Sequence, residues 1–321
     1  MIHLICMSEV SVIVPTFNAK KFIQETWDSL QAQTHKSFTV IFIDDCSNDG
    51  TQDYLKSLEA PNIKLVLREQ NSGSPAASMH DGIAVAETEL IAFLDHDDVA
   101  EPTWLEDLSQ RFKDNSALQL AWGRHATISN ESVQSVAFRN PWGSEPQKII
   151  PTFLRWTPGT SGMMVRREAF DRVGNFDPEM LAIADHDWTI RWAWATQDGD
   201  VSISDKVLIR YRTHAGNLSG SVRPARLVEM KRFVEKHAEK LSSVPEIHAW
   251  YMYRVAWLCE ALGFDHESDQ YLARAISIFP TKKYYAYRYL KKFGLINYVR
   301  PITNLRGKLD DWRRKWRHRL T

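Results

Sequence analysis

The sequence predicts an α/β protein, a doubly wound and mostly parallel sheet followed by an all-helical C-terminal domain. Three observations carry this. Short apolar, β-branched runs alternate with amphipathic segments through the first hundred residues. Several of the runs stop at polar or acidic residues, among them Thr16, Asn18, Asp44, Asp45, Asp95 and Asp97. After Pro224 the strand-like runs cease and only helical periodicity remains.

In chain order, Val10 to Val14 is a buried strand ended by Pro15. Lys20 to Gln33 is helical, with Phe22, Ile23, Trp27 and Leu30 on one stripe. Phe38 to Ile43 is a strand. Thr51 to Leu58 is a helix after the Asn48-Asp49-Gly50 turn, and Ile63 to Leu67 is a strand. Pro75 to Ala86 is a helix and Leu90 to Leu94 a strand. The βαβαβαβ alternation predicts a sheet covered on both faces, with ligands at the carboxyl ends of its strands. Further on, Asp107 to Asn115 and Asp185 to Ala195 read as helices, with a helical turn over Arg167 to Val173. Leu118 to Arg124, Met163 to Val165 and Val207 to Tyr211 read as strands, and Asn140 to Pro158 as irregular. Four helical segments follow: Arg226 to Lys240, His248 to Leu262, Glu267 to Phe279 and Lys283 to Phe293. The expected domains are 1–222, 223–300 and a final helix over 301–321.

Lys and Arg balance Asp and Glu at 40 each, so no whole-chain field argues for nucleic acid. The balance hides a tail. From Thr281 onward, 13 Lys and Arg face two Asp, a net charge of +11. Cys6, Cys46 and Cys259 are widely separated without metal spacing, which suits a reducing compartment. Met1 to Cys6 is too short and uncharged for a signal peptide, and Met7 is an alternative start. No run reaches the ~18 apolar residues of a membrane span.

Asp95-His96-Asp97-Asp98 is the sharpest chemical signal. Residues two apart in extended chain point the same way, so the carboxylates of Asp95 and Asp97 converge. Like charges repel unless a cation lies between them, and oxygen ligands select Mg²⁺ or Mn²⁺. Taken alone the cluster also reads as an acidic cap for the helix that follows.

Four motifs stand in order: Val10 to Asn18, Ile43 to Thr51, Asn71-Ser72-Gly73, and Ile91 to Asp98. Together they resemble the inverting family-2 glycosyltransferases with a GT-A fold, over about residues 9 to 220. The resemblance implies a nucleoside-diphosphate sugar donor, UDP-sugar first and dTDP- or GDP-sugar next. It also implies a glycan or lipid-linked acceptor, inversion, and a role in bacterial surface polysaccharide synthesis. Pro15, Thr16, Phe17 and Asn18 would line the nucleotide pocket with Phe17 against the base, and Asp45 would accept a hydrogen bond from the base. Asn71 and Gly73 would complete that wall. Asp95 would meet the ribose or sugar and Asp97 the metal. His96 lies in the same stretch, but strand alternation turns it from the metal. Gly159, Thr160, Ser161 and Gly162 resemble the glycine-containing loop that approaches donor or acceptor sugar. Ala182 to Arg191 resembles the motif of the general base, placing that role on Asp185 although Ala184 stands where the family usually has Glu. Asp187 and Arg191, four apart, read as a structural ion pair. His214 would reach the metal or diphosphate, with Arg212 nearby for phosphate charge. The family's frequent Arg-Asn after the Asn-Ser-Gly segment is replaced here by Ser78-Met79-His80-Asp81. Trp104, Trp122, Trp142 and Trp156 read as packing residues or sugar platforms.

In the last segment Ile302, Leu305, Leu309, Trp312, Trp316 and Leu320 form a stripe among basic residues. This suits an anionic membrane surface, giving a cytoplasmic protein held peripherally at the inner face of the cell membrane through residues 302–321. A helix docked on the preceding hairpins is the other reading, and no nucleic-acid module is present. The alternative to catalysis is a membrane- or partner-binding scaffold, which retention of Asp97 and Asp185 disfavours.

Overall fold

A computed structural model describes residues 9–129, 159–196, 201–214, 216–217 and 224–293. The expected irregular segment with Trp142 and Trp156, the basic helix of 301–321, the start at Met7, and Cys6 lie outside the described residues. The chain falls into two compact units, Met1–Ser221 and Val222–Thr321.

The first unit holds β1 (Val10–Thr16), α1 (Ile23–Gln31), β2 (Phe38–Asp44), α2 (Thr51–Lys56), β3 (Ile63–Leu67), α3 (Pro75–Val85) and β4 (Leu90–Phe93). It continues through β5 (Val99–Ala100), α4 (Trp104–Asp114), β6 (Leu120–Ser129), β7 (Met164–Arg166), α5 (Glu168–Val173), α6 (Ala184–Ala195) and β8 (Val201–Thr213). Eight strands form one mixed sheet in the order β3-β2-β1-β4-β7-β6-β8-β5. The first four are parallel; β7 runs antiparallel between β4 and β6, β8 is parallel to β6, and β5 is antiparallel to β8.

Every residue of β1 is buried, as a central parallel strand covered on both faces requires. Gly82 lets α3 approach it closely: a Cβ there would stand 2.5 Å from Ile13 Cγ2. On the other face Trp27 of α1 meets Phe42 of β2 edge-on at 6.0 Å. The helix expected from Lys20 begins at Ile23, because Asn18 is left-handed and the chain first turns through Ala19, whose carbonyl accepts from Phe22 and Ile23. An aromatic cluster of Phe93, Phe170, Phe176 and Trp188 joins β4 to α5 and α6.

The second unit is helical: α7 (Pro224–Lys236), α8 (Ala238–Ser242), α9 (Pro245–Ala261), α10 (Asp265–Ile278) and α11 (Lys282–Lys292). The helix expected over Arg226 to Lys240 breaks at His237, whose backbone leaves the helical region. Phe233 and Tyr251 pack at 4.8 Å in its core.

Candidate active site

The carboxyl ends of β1, β2 and β4 lie side by side and carry the site. Thr16 is buried and its hydroxyl donates to the Ile43 carbonyl at 3.0 Å, fixing the end of β1 to β2. Beyond it Phe17 stands 44% exposed. Asn18, at φ 47°, donates its N–H to Ser47 Oγ at 2.8 Å and accepts from Asn48 N at 3.0 Å. The two loops are thereby stitched together, with Phe17 left outward.

Asp45 is buried. It accepts from the Ser72 N–H at 3.0 and 3.1 Å and from the Ser72 hydroxyl at 2.8 Å, and it pairs with Arg68 Nε at 3.0 Å. Asn71 Nδ2 donates to the Asp45 carbonyl at 3.1 Å, and Gly73, at φ 72°, donates to Asn71 Oδ1 at 2.6 Å. Asp45, Asn71 and Gly73 thus form one wall. Arg68, which sequence reasoning missed, also pairs with Asp81. A guanidinium from the end of β3 therefore reaches Asp45 in a chain whose α3 carries no arginine.

Asp95 to Asp98 forms a turn and not the extended chain assumed from the spacing: β4 ends at Phe93 and Asp98 N donates back to the Asp95 carbonyl at 3.1 Å. The turn brings three carboxylates together, so that oxygens of Asp95, Asp97 and Asp98 lie within 4.8 Å of one another. His96 points elsewhere, its Nδ1 bonding the Pro15 carbonyl at 3.1 Å. Since a carbonyl only accepts, that nitrogen carries the proton. Asp98 is not a helix cap; α4 starts only at Trp104, and Asp98 Oδ1 accepts the Arg212 N–H at 2.9 Å.

The crowding has an electrostatic signature. Burial, then the charges of Asp98, Asp97 and Asp185, push the Asp95 carboxyl well above the carboxylate range. Burial, then Asp97, push Asp98 up to about 7 against the opposing Ser161 and Arg212. Among the described residues Arg212 opposes part of this negative charge, and an oxygen-only donor set of this density fits a hard divalent ion.

His214 adds a nitrogen, with Nε2 2.8 Å from Asp97 Oδ2 and the ring against Phe22 at 4.8 Å. Gly216 N donates to its Nδ1 at 3.1 Å, which holds the ring with Nε2 toward Asp97. Arg212 is closely held. Its Nε donates to the Asp97 carbonyl at 2.8 Å, its guanidinium pairs with Glu25 at 2.5 Å, and it stacks over Phe22 at 5.1 Å.

Loop 159–162 approaches from the other side. Ser161 Oγ accepts the Asp95 N–H at 3.1 Å, and Gly162 N donates to the Phe93 carbonyl at 2.7 Å. Met163 N donates to the buried Thr160 carbonyl at 3.0 Å, while Gly159 is open to solvent. Gly162 has φ 86°, and a Cβ there would stand 2.4 Å from Ile209. Trp104 Nε1 donates to the Gly162 carbonyl at 3.0 Å, so Trp104 supports the loop from the core, and Trp122 is likewise buried. His125 of β6, which no motif flagged, packs under this loop; burial pushes it down to about 4, and a bond to the Ser161 backbone opposes this.

Asp185 stands in the first turn of α6, half-buried, its Oδ1 accepting the His186 N–H at 2.8 Å. Its charge reaches Asp95. Asp187 and Arg191 form an i,i+4 ion pair at 2.9 Å, and Arg191 also donates to the Asn175 carbonyl at 2.7 Å, anchoring α6 to the preceding loop.

Comparisons with known proteins speak to the family and the fold. Residues 11–174 match the family model described as glycosyl transferase family 2. An uncharacterized glycosyltransferase of Nostoc sp. is 29% identical over 218 residues, 65% of this chain and 66% of that protein. The poly(ribitol-phosphate) beta-N-acetylglucosaminyltransferase TarS of Staphylococcus aureus is 36% identical over 104 residues, 32% of this chain and 18% of TarS. The crystal structure of S. aureus TarS 1-349 in complex with UDP-GlcNAc superposes with a TM-score of 0.65 at 21% identity, covering 85% of this chain and 82% of that one, and so shares the fold. The matches to these two relatives span 66% and 18% of their lengths. On the match over residues 11–174, the chain belongs to glycosyltransferase family 2.

Proposed function

We propose that the protein is an inverting glycosyltransferase that moves a sugar from a nucleoside diphosphate to a hydroxyl of a glycan or lipid-linked acceptor, in bacterial surface polysaccharide synthesis. UDP-sugar is the favoured donor, with dTDP- and GDP-sugars next. The observation that carries this is the cluster of Asp95, Asp97 and Asp98, whose oxygens lie within 4.8 Å of one another at the strand ends, with Asp185 near enough for its charge to act on Asp95. One carboxylate group for the leaving diphosphate and another for the acceptor is the division of labour that inversion needs.

The exposed Phe17 ring stacks on the base, and Asp45 accepts a base N–H from the wall it forms with Asn71 and Gly73. Asp97 and His214 would hold a Mn²⁺ or Mg²⁺ ion, with Asp95 toward the ribose or sugar. When bound, that ion supplies positive charge that stabilises the departing diphosphate. Asp185 takes the proton of the acceptor hydroxyl as the hydroxyl oxygen bonds the anomeric carbon from the face opposite the diphosphate, whose bond to that carbon breaks. Loop Gly159 to Gly162 borders the sugars, and its glycines permit close approach. Membrane attachment through residues 302–321 at the inner face of the cell membrane belongs to the same proposal. Among the described residues no helix is long and apolar enough to cross a membrane.

Thermal shift with UDP, dTDP and GDP, each with and without Mn²⁺ or Mg²⁺, tests the reading. Stabilisation by at least one nucleotide that depends on the ion is expected. Absence of stabilisation by every pair would leave a non-catalytic scaffold as the better description.

A further inference from the structure

The helical unit gathers cations that glycosyl transfer does not use. Arg226 lies in the first turn of α7, Arg254 within α9 and Lys283 in the first turn of α11. Burial and then the Arg226 charge hold Arg254 below its ordinary range; burial and then the Arg254 charge do the same to Lys283. Like charges this near repel, and something must offset the cost. Aromatic faces offset part of it. The Arg254 guanidinium lies over Trp250 at 5.1 Å and Lys283 Nζ over Tyr253 at 4.6 Å, with Tyr253 stacked on Tyr284 at 5.1 Å.

Carboxylates do not complete the balance. Among the described residues no ion pair engages Arg226, Arg254 or Lys283, and the Nε–H groups of both arginines are buried and hydrogen-bonded to nothing. Glu229, one turn beyond Arg226, is buried with contacts of its own yet leaves Oε1 without a hydrogen bond, so it meets neither Nε–H, and Glu260 accepts the Tyr287 hydroxyl at 2.7 Å. Buried charged donors without acceptors are costly, and an anion that accepts from both guanidinia removes the cost.

We propose that Arg226, Arg254 and Lys283 form a binding site for a phosphate group, walled by Trp250 and Tyr253. A tetrahedral oxyanion matches the guanidinium fork, and its charge answers three cations better than a single carboxylate does. The aromatic walls suit the carbon skeleton that bears the phosphate. The ligand is therefore a phosphate ester, carried by a soluble polyol or by a lipid headgroup. The site lies within the second unit, and its failure would leave the glycosyltransferase reading untouched.

Calorimetry of the full chain in EDTA with saturating UDP, titrated with inorganic phosphate and with glycerol phosphate against chloride at equal ionic strength, tests this. Saturable phosphate binding is expected, weakened about tenfold in Lys283→Gln and further in Arg254→Gln. Lys283 stands at the surface edge of the cluster with its ammonium over Tyr253, and the circular dichroism spectrum and Tm of its variant are measured alongside to separate lost binding from lost fold. Flotation with phosphatidylglycerol vesicles, absent with phosphatidylcholine and reduced by Lys283→Gln, assigns the phosphate to lipid. Phosphate binding with flotation that Lys283→Gln leaves unchanged assigns it to a soluble ester. Heats indistinguishable from chloride overturn the proposal, as do equal phosphate affinities in wild type, Lys283→Gln and Arg226→Gln.

Discussion

Replacing Asp98 by asparagine removes one charge from the acidic turn while leaving an oxygen to accept the Arg212 N–H. In the folded chain the Asp98 carboxyl is raised from 3.8 to about 7, by burial and then by Asp97. Below pH 4 both folded and unfolded forms hold the proton, and Asp98 costs nothing. As pH rises the unfolded chain ionises first, so the fold binds the extra proton and stability falls until about pH 7. Across that window the loss is on the order of 4 kcal/mol, and it belongs to the coupled cluster more than to Asp98 alone. His125 works in the opposite direction: its folded value of about 4 lies below 6.5, so it adds stability as pH rises through the same range. The difference between Asp98→Asn and wild type cancels that contribution. Urea denaturation in EDTA at half-unit intervals from pH 4.5 to 8 should find the variant no more stable than wild type at the acid end. By pH 8 it should be more stable by about 2–4 kcal/mol. Mn²⁺ should narrow the gap by stabilising wild type more at pH 8 than at pH 5. A difference that stays flat across the range would refute the electrostatic reading of the turn.

Asp185→Asn should lower transfer by roughly 10²–10⁴-fold with little change in UDP affinity, read by initial rates alongside calorimetry. Phe17→Ala should weaken UDP binding by roughly tenfold, equivalent to ~1.4 kcal/mol, with little change in Tm, since Phe17 is exposed at the strand end. Gly162→Ala should destabilise the fold by about 1–3 kcal/mol, measured by chemical denaturation, because it combines a left-handed backbone with a Cβ pressed on Ile209.

The half of the sheet from β1 to β4 was legible because its strands are apolar runs, the first helix shows a stripe and turn residues mark the breaks. The other half was harder. Val99–Ala100 is too short to show periodicity and is a strand only through its pairing with Arg210 and Ile209. Met164–Arg166 is apolar enough to be recognised as a strand, but nothing in three residues states that it runs antiparallel between β4 and β6. At the site, the ordered motifs pointed to Asp45 and Asp97, and the separate segment Ala182 to Arg191 pointed to Asp185. They did not foresee that Asp95 to Asp98 turns, which depends on a backbone bond and on Ser161, 66 residues away. Arg68 and His125 escaped notice because an isolated Arg just past a strand, or an isolated His within one, carries no spacing signal. A basic residue closing β3 opposite the acidic end of β2 was the one clue available for Arg68.

The Arg212 clamp constrains anyone who would recombine this protein. Its guanidinium bonds Glu25 and the Asp97 carbonyl, and its main chain bonds Asp98, so three stretches of chain meet on one residue. A chimera joined anywhere between residues 100 and 200 takes the acidic turn from one parent and the clamp from the other. Such hybrids should assemble only when both parents carry matching residues at positions 25, 98 and 212, whatever their similarity elsewhere. Crossover points placed before residue 23 or after 214 keep the trio from one source, and those are where domain exchange has room to succeed.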